Sequence, residues 1–260
     1  MPYRKKEEKR GQEEAWRGEV AEAGSLPAGD GPRLWVVGTP IGNLEDITLR
    51  ALRVLREADL VAAEDTRRTG QLLRHYKIRK PLVSYHRFNE AKRLSGLLSS
   101  LREGKRVALV SDAGMPGISD PGERLLRRCA QEGIGIEVVP GPSAVLAALL
   151  ASGFSTTPFY FGGFLPVKAG ARHREWETAR ERPCTSVYFE SPHRLRRSLE
   201  EAATVLGSRK LCLARELTKK FEELLRGSAE SLLGEFRRRE PRGEFCIVVA
   251  GDEKAGGAPE

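Results

Sequence analysis

From Leu34 onward, short apolar runs alternate with stretches of helical period. LWVV is unbroken and apolar, as a buried strand is. ITLRALRVLREA then places Leu49, Leu52, Val54 and Leu55 on or near one helical face. The alternation continues with DLVAAE as strand, RRTGQLLRHY as helix and KPLVSY as strand. AKRLSGLLSSLREG reads as a helix closed by Gly104, RVALVS as a fourth strand, ERLLRRCAQEG as a helix and IGIEVVP as a fifth strand. SAVLAALLASG is a helix of small apolar residues. Strand exchanging with helix in this way predicts an α/β fold on a mostly parallel sheet, with helices on both faces.

FSTTPFYFGGFLP, after Gly153, breaks the rhythm and reads as a junction between two domains. Beyond it come TSVYFE (strand), PHRLRRSLEEAATVLG (helix), KLCLARE and FEELLRG (two strands in succession), SAESLLGEFRRR (helix) and GEFCIVVAG (strand). Consecutive strands predict a mixed second sheet. The expected organisation is an extension over 1–32, a first α/β domain over 33–153, a second over 154–251 and a frayed tail over 252–260. At 260 residues the chain is long enough for two domains.

Composition changes the picture mainly at the ends. Residues 1–30 carry 6 basic and 7 acidic residues and little to bury, so they read as a disordered extension; lacking an apolar core, they do not read as a signal peptide. The whole chain has 44 basic and 36 acidic residues, and residues 251–260 hold 1 and 3. Subtracting both ends leaves 37 and 26, a net of +11 on residues 31–250. That excess favours a polyanionic partner, nucleic acid first. No apolar run is long enough for a membrane span. Cys129, Cys184, Cys212 and Cys246 are scattered without C-x-x-C spacing, which fits reduced thiols in a cytoplasmic protein.

Candidate chemistry gathers at strand ends. VGTPIGNLED, SDAGMPGISDPG and PGPSA follow the first, fourth and fifth predicted strands. Ligands of open α/β sheets bind beyond the carboxyl ends of the strands. Glycine lets backbone approach a ligand, and Ser143 is placed to cap the next helix. The spacing from Gly38 to Gly42 is neither a dinucleotide fingerprint nor a P-loop, and no spacing suggests a metal. A pocket of Asp112, Met115, Ser143, Ala144 and backbone suits a ligand with polar edges, an apolar ring and little negative charge.

These stretches, together with ADLVAAEDTRRTGQLL, GFLP, YFESPHRL and LARELTKKFEEL, resemble the tetrapyrrole-methylase superfamily. Within it they most resemble the RsmI-type ribosomal RNA methyltransferases, from about Leu34 to Gly251. The resemblance implies two α/β domains holding S-adenosylmethionine in a cleft between them. It also implies 2′-O-methylation of a cytidine in the decoding centre of small-subunit RNA, with homodimerisation common. By resemblance, Asp112 and Met115 contact the donor, and Ser143 and Ala144 hold its other side. Pro40 and Ile41 border the methyl or substrate side, and Phe189, Ala214 and Leu217 close over the adenine. By the same resemblance, relatives such as the enterobacterial enzyme continue past GEFCIVVAGD into a small helical domain expected to help grip RNA.

Transfer of a methyl group from a sulfonium requires no metal, and positioning does most of the chemistry. A ribose hydroxyl must also lose its proton. Glu64, Asp65, His86, Glu190 and His193 are the candidate bases, with Asp65 the first choice and helix capping its structural alternative. Arg67, Arg68, Arg87, Arg194, Arg196 and Arg197 lie in the same loops or the turns after them. The expected RNA side comprises Thr66, Arg67, His86, Arg87, Glu190, His193 and Arg194, with Tyr85, Phe88 and Tyr188 as stacking candidates. Two other readings stay open: a methylase of a corrin or porphyrin precursor, and a non-catalytic RNA-binding assembly factor.

Overall fold

A computed structural model describes residues 33–252, which fall into two compact units. The first comprises residues 33–38, 47–112 and 121–141. Its elements are β1 (Arg33–Val37), α1 (Leu49–Glu57), β2 (Leu60–Ala63), α2 (Thr66–His75), β3 (Leu82–Ser84), α3 (Glu90–Arg102), β4 (Arg106–Val110), α4 (Glu123–Gln131) and β5 (Gly135–Val139). The expected extension over 1–32 and nearly all of the expected tail lie outside the described residues.

The five strands form one wholly parallel sheet in the order β3-β2-β4-β1-β5. Period-two alternation sends successive side chains to opposite faces. Trp35, Val37, Val61, Ala63, Ala108 and Val110 pack with α1 and α2. Leu34, Ala62, Val107 and Leu109 pack with α3 and α4. Within α1 the buried residues are Ala51, Leu52, Val54 and Leu55, whereas Leu49, expected on the core face, is 42% exposed at the first turn. Thr48 starts that helix, its Oγ1 accepting from the Ala51 amide at 3.0 Å.

The second unit comprises residues 39–46, 113–120 and 142–252. It contains α5 (Ala144–Ser152), β6 (Phe159–Phe164), α6 (Ala169–Glu181), β7 (Thr185–Glu190), α7 (Pro192–Leu206), β8 (Leu211–Arg215), β9 (Glu223–Gly227), α8 (Ala229–Arg238) and β10 (Phe245–Val249). The sheet order is β6-β7-β10-β8-β9, parallel between β6 and β7 and antiparallel elsewhere, so it is mixed as expected. One face carries α6, α7 and α8 over Tyr188, Leu213, Phe245 and Ile247. The other face, with Val187, Cys212, Ala214, Cys246 and Val248, is covered by Val145, Ala148 and Leu149 of α5.

Two features depart from the sequence reading. FYFGGF, read as a junction, is strand β6, and the polar stretch after it is helix α6, whose buried stripe is Arg172, Trp176 and Ala179. The expected boundary after Gly153 also separates α5 from the sheet it covers. Helix α5 and the two loops 39–46 and 113–120 group with the second sheet, because their apolar side chains are buried there.

Candidate active site

Connection order marks the ligand edge of the first sheet. From β2 the chain leaves towards β3, and from β4 it leaves towards β5, in the opposite direction. Adjacent parallel strands whose connections diverge leave a crevice beyond their carboxyl ends. At this crevice stand Glu64 and Asp65 after β2, and Ser111 and Asp112 after β4. The two strand ends are cross-tied. The Asp65 amide donates to Asp112 Oδ1 at 2.9 Å, and the Asp112 amide donates to Glu64 Oε2 at 3.4 Å. Arg68 Nη1 lies 3.6 Å from Asp112 Oδ2. Burial pushes both the Glu64 and Asp112 carboxyls above their ordinary range, and at Glu64 the neighbouring Asp112 charge adds to the rise.

Asp65 has the opposite character. Its Oδ1 caps α2 by accepting from the Arg67 amide at 2.8 Å, and the Arg67 guanidinium grips both carboxylate oxygens at 3.1 and 2.8 Å. The Arg67 bonds hold the carboxyl down at about 2. A carboxylate so well satisfied is a weak proton acceptor, whereas the raised Glu64 carboxyl is the stronger one. Thr66 opens α2 half-buried, and Arg67 and Arg68 on its first turn are exposed. At the end of β3, His86 is half-buried and Arg87 exposed.

The other expected substrate residues divide. His193 is exposed. Glu190 is buried, its oxygens taken by the Ser191 amide at 2.7 Å, Ser198 Oγ at 2.5 Å and Arg194 at 2.6 Å. Arg194 also donates to the Leu165 carbonyl at 3.0 Å. Both therefore fasten the start of α7. Arg196 is likewise engaged, donating to the Phe236 carbonyl at 2.7 Å. Of the three stacking candidates, Tyr85 and Tyr188 are core, bonded through their hydroxyls to Glu90 and Glu175. Only Phe88 is exposed.

In the second unit the expected donor residues sit on the α5 side of the sheet. Thr39 and Gly114 exchange backbone hydrogen bonds of 2.9 and 3.0 Å, which ties loop 39–46 to loop 113–120. Pro40 and Ile41 are buried and Met115 half-buried. Ile41 joins Ala214 and Leu217 in the cluster that contains α5. Ser143 caps α5, its Oγ accepting from Leu146 at 3.5 Å, and the Ala144 carbonyl faces Cys246 Sγ at 3.8 Å. Phe189 makes edge contacts with Phe161 and Phe164 at 5.1 and 5.4 Å between ring centres.

Sequence reasoning missed one constraint on the first loop. Gly42 lies against the β8–β9 connection: a Cβ there would strike Lys219 Cγ and come within 2.8 Å of Thr218 Oγ1. Thr218 Oγ1 accepts from the Asn43 amide at 3.1 Å, and Lys219 Nζ bridges Glu216 and Glu244 at 2.9 Å each. Glu216 and Thr218 take φ of 50° and 64°, unfavourable for any residue with a Cβ and worst for a β-branched one. Among the described residues no group of three or more His, Cys, Asp or Glu could hold a metal.

A family model for tetrapyrrole (corrin/porphyrin) methylases matches residues 33–233. The chain belongs to the tetrapyrrole methylase family. It is therefore a methyltransferase, and the loops and carboxyls just described are those of a family member. Its relatives within that family share nearly half of its sequence. A protein of Thermotoga maritima named ribosomal RNA small subunit methyltransferase I is 48% identical over 221 residues, 85% of this chain and 99% of that protein. The Bacillus subtilis protein of the same name is 44% identical over 218 residues, 84% of this chain and 75% of that protein. Among solved structures, a cobalt precorrin-4 methyltransferase has the same fold, with a TM-score of 0.62 at 20% identity, over 87% of this chain and 98% of that one. A uroporphyrin-III-C-methyltransferase from Thermus thermophilus gives 0.60 at 25% identity, over 84% and 94%. No described helix is long and apolar enough to cross a membrane.

Proposed function

We propose that the protein methylates the 2′-hydroxyl of a cytidine in small-subunit ribosomal RNA near the decoding centre, with S-adenosylmethionine as donor, in the cytoplasm. The observation that carries this reading is the identity of 43–48% with proteins named ribosomal RNA small subunit methyltransferase I across at least 84% of the chain. The exposed cations Arg67, Arg68 and Arg87 beside the carboxyl crevice agree with a phosphate-bearing substrate.

The residues present fit the donor. A Cβ at Gly141 would lie 2.9 Å from Gly38 Cα, so backbone alone forms that part of the loop wall. Ile41, Ala214 and Leu217 offer an apolar surface to a purine, and Asp112 offers an acceptor to a hydroxyl or amine. Met115, Ser143, Ala144, Pro40 and Phe189 complete the donor-binding set. When bound, S-adenosylmethionine supplies an already activated methyl group. Glu64 accepts the proton of the ribose hydroxyl, its buried carboxyl raised towards the working pH. Arg67 and Arg87 hold phosphates on either side, and Thr66 and His86 bound the nucleotide. The acting species is a homodimer, with Leu146 and Leu150, 51% and 71% exposed one turn apart on α5, supplying apolar contact.

The test supplies methyl-labelled S-adenosylmethionine and small ribosomal subunits from a strain lacking the modification, then digests the RNA to nucleosides. Label in 2′-O-methylcytidine is expected. Label in another nucleoside would overturn the assignment of the acceptor, and none at all would overturn the RNA reading.

A further inference from the structure

Phe88 is 94% exposed, the most exposed of the large hydrophobic side chains among the described residues. A ring so placed usually sits on a loose loop, but this loop is tightly braced. Asn89 occupies the N-cap position of α3, yet its side chain makes no cap bond. It turns back instead: Oδ1 accepts from the His86 amide at 2.8 Å, and Nδ2 donates to the Ser84 carbonyl and hydroxyl at 3.2 and 3.1 Å. The Phe88 amide donates to His86 Nδ1 at 3.2 Å, and the His86 carbonyl accepts from the Asn89 and Glu90 amides at 2.9 Å each. The His86 ring meets the Phe88 ring edge-on at 6.1 Å. Asn89 thus braces the loop in place of capping the helix, and the loop holds the Phe88 ring out in solvent.

The loop's position defines what it could meet. It leaves β3 at the same sheet edge as Glu64 and Asp112, because β2, β3 and β4 run parallel. His86, at the start of the loop, is near enough to Glu64 to interact with it electrostatically. Arg87, next to Phe88, has no hydrogen bond or ion pair among the described residues, and Arg67 and Arg68 stand exposed at the neighbouring strand end. A rigid exposed ring flanked by cations is the arrangement that stacks an unpaired base while fixing its phosphates.

We propose that Phe88 is a stacking platform for an unpaired RNA base beside the target nucleotide, with Asn89 as the residue that positions it. This rests on the RNA reading above and adds that the substrate presents an unstacked base next to the reacting one. Two readouts keep the two ideas apart: equilibrium binding of unmodified small ribosomal subunits, and methyl transfer to their RNA. Phe88→Ala is expected to weaken binding and raise KM by about 5- to 150-fold, the span of base–aromatic stacking, with donor affinity unchanged. Phe88→Trp should restore both, and its emission should be quenched by the subunits. Phe88→Leu, which keeps apolar area without a π face, should not restore them. Asn89→Ala should shift KM in the same direction as Phe88→Ala. Wild-type transfer with unchanged KM in Phe88→Ala overturns the platform and leaves the RNA reading standing. Weakened binding without transfer in any variant keeps the platform and overturns the methylation reading. Absence of both binding and transfer overturns the two together.

Discussion

Two neighbouring carboxyls, Glu64 and Asp65, show how position decides chemistry. Both follow β2, but one is pushed up by burial and the other held at about 2 by Arg67. Glu64→Gln is expected to cut methyl transfer by about 10²- to 10⁴-fold, the usual contribution of a general base, with donor affinity little changed. Asp65→Asn keeps an oxygen to cap α2 and should retain most activity. Transfer should rise with pH through a midpoint above the ordinary glutamate value, and a rate profile of Glu64→Gln should lack that limb. The signs for stability follow from linkage. Glu64 and Asp112 bind protons more tightly folded than unfolded, so their contribution to stability falls as pH rises from the ordinary carboxylate range through their raised values. Asp65 contributes above its unfolded value, and that contribution is lost as pH falls towards 2. The sequence named both residues as candidates, and capping as the alternative for Asp65. It put Asp65 first, since the burial of Glu64 against Asp112 is a tertiary fact and the side-chain geometry of the Arg67 grip leaves no mark in the residue pattern.

At the scale of elements, strands and helices of the first unit were readable because each obeys one period and a short loop separates them. The second unit was readable only where that held. Strand β6 was hidden by two glycines in FYFGGF, and α6 by a polar surface whose buried stripe includes an arginine. Arg172 is 1% exposed and neutralised by Glu201 at 2.8 and 2.6 Å, a pairing no pattern of apolar positions reveals. The strained turn Glu216–Thr218 was equally invisible, because φ leaves no mark in composition. That turn yields a prediction about the loop it locks. Thr218→Gly relieves about 1–2 kcal/mol of left-handed strain and gives up one hydrogen bond worth about 0.5–1.5 kcal/mol. Stability in thermal melts should be held or improved, while donor affinity in calorimetry falls because Asn43 loses its anchor. Gly42→Ala should lower donor affinity more, about tenfold, since the new methyl must displace Lys219 and Thr218. Unchanged donor affinity in both variants would mean that the lock does not position the loop.

For the whole molecule, the fold alone does not choose the substrate. The solved corrin and porphyrin methyltransferases share the architecture at 20–25% identity. What distinguishes the RNA reading is how charge and aromatic surface are arranged around one sheet edge. A polyanion releases counterions when bound, so affinity falls with salt in proportion to the number of phosphates neutralised. A net of +11 over residues 31–250 sets the overall attraction, but only cations at the site enter the slope. Arg87→Ala should therefore flatten the plot of log affinity against log salt for small-subunit RNA by about one unit, and do so equally for RNA of unrelated sequence. Phe88→Ala should lower the same line without changing its slope, because stacking releases no counterions. A porphyrin-binding site would show neither effect with RNA. An assembly factor without catalysis would show both effects and no transfer, so the salt plots and the label in cytidine together separate the three functions that one fold could serve.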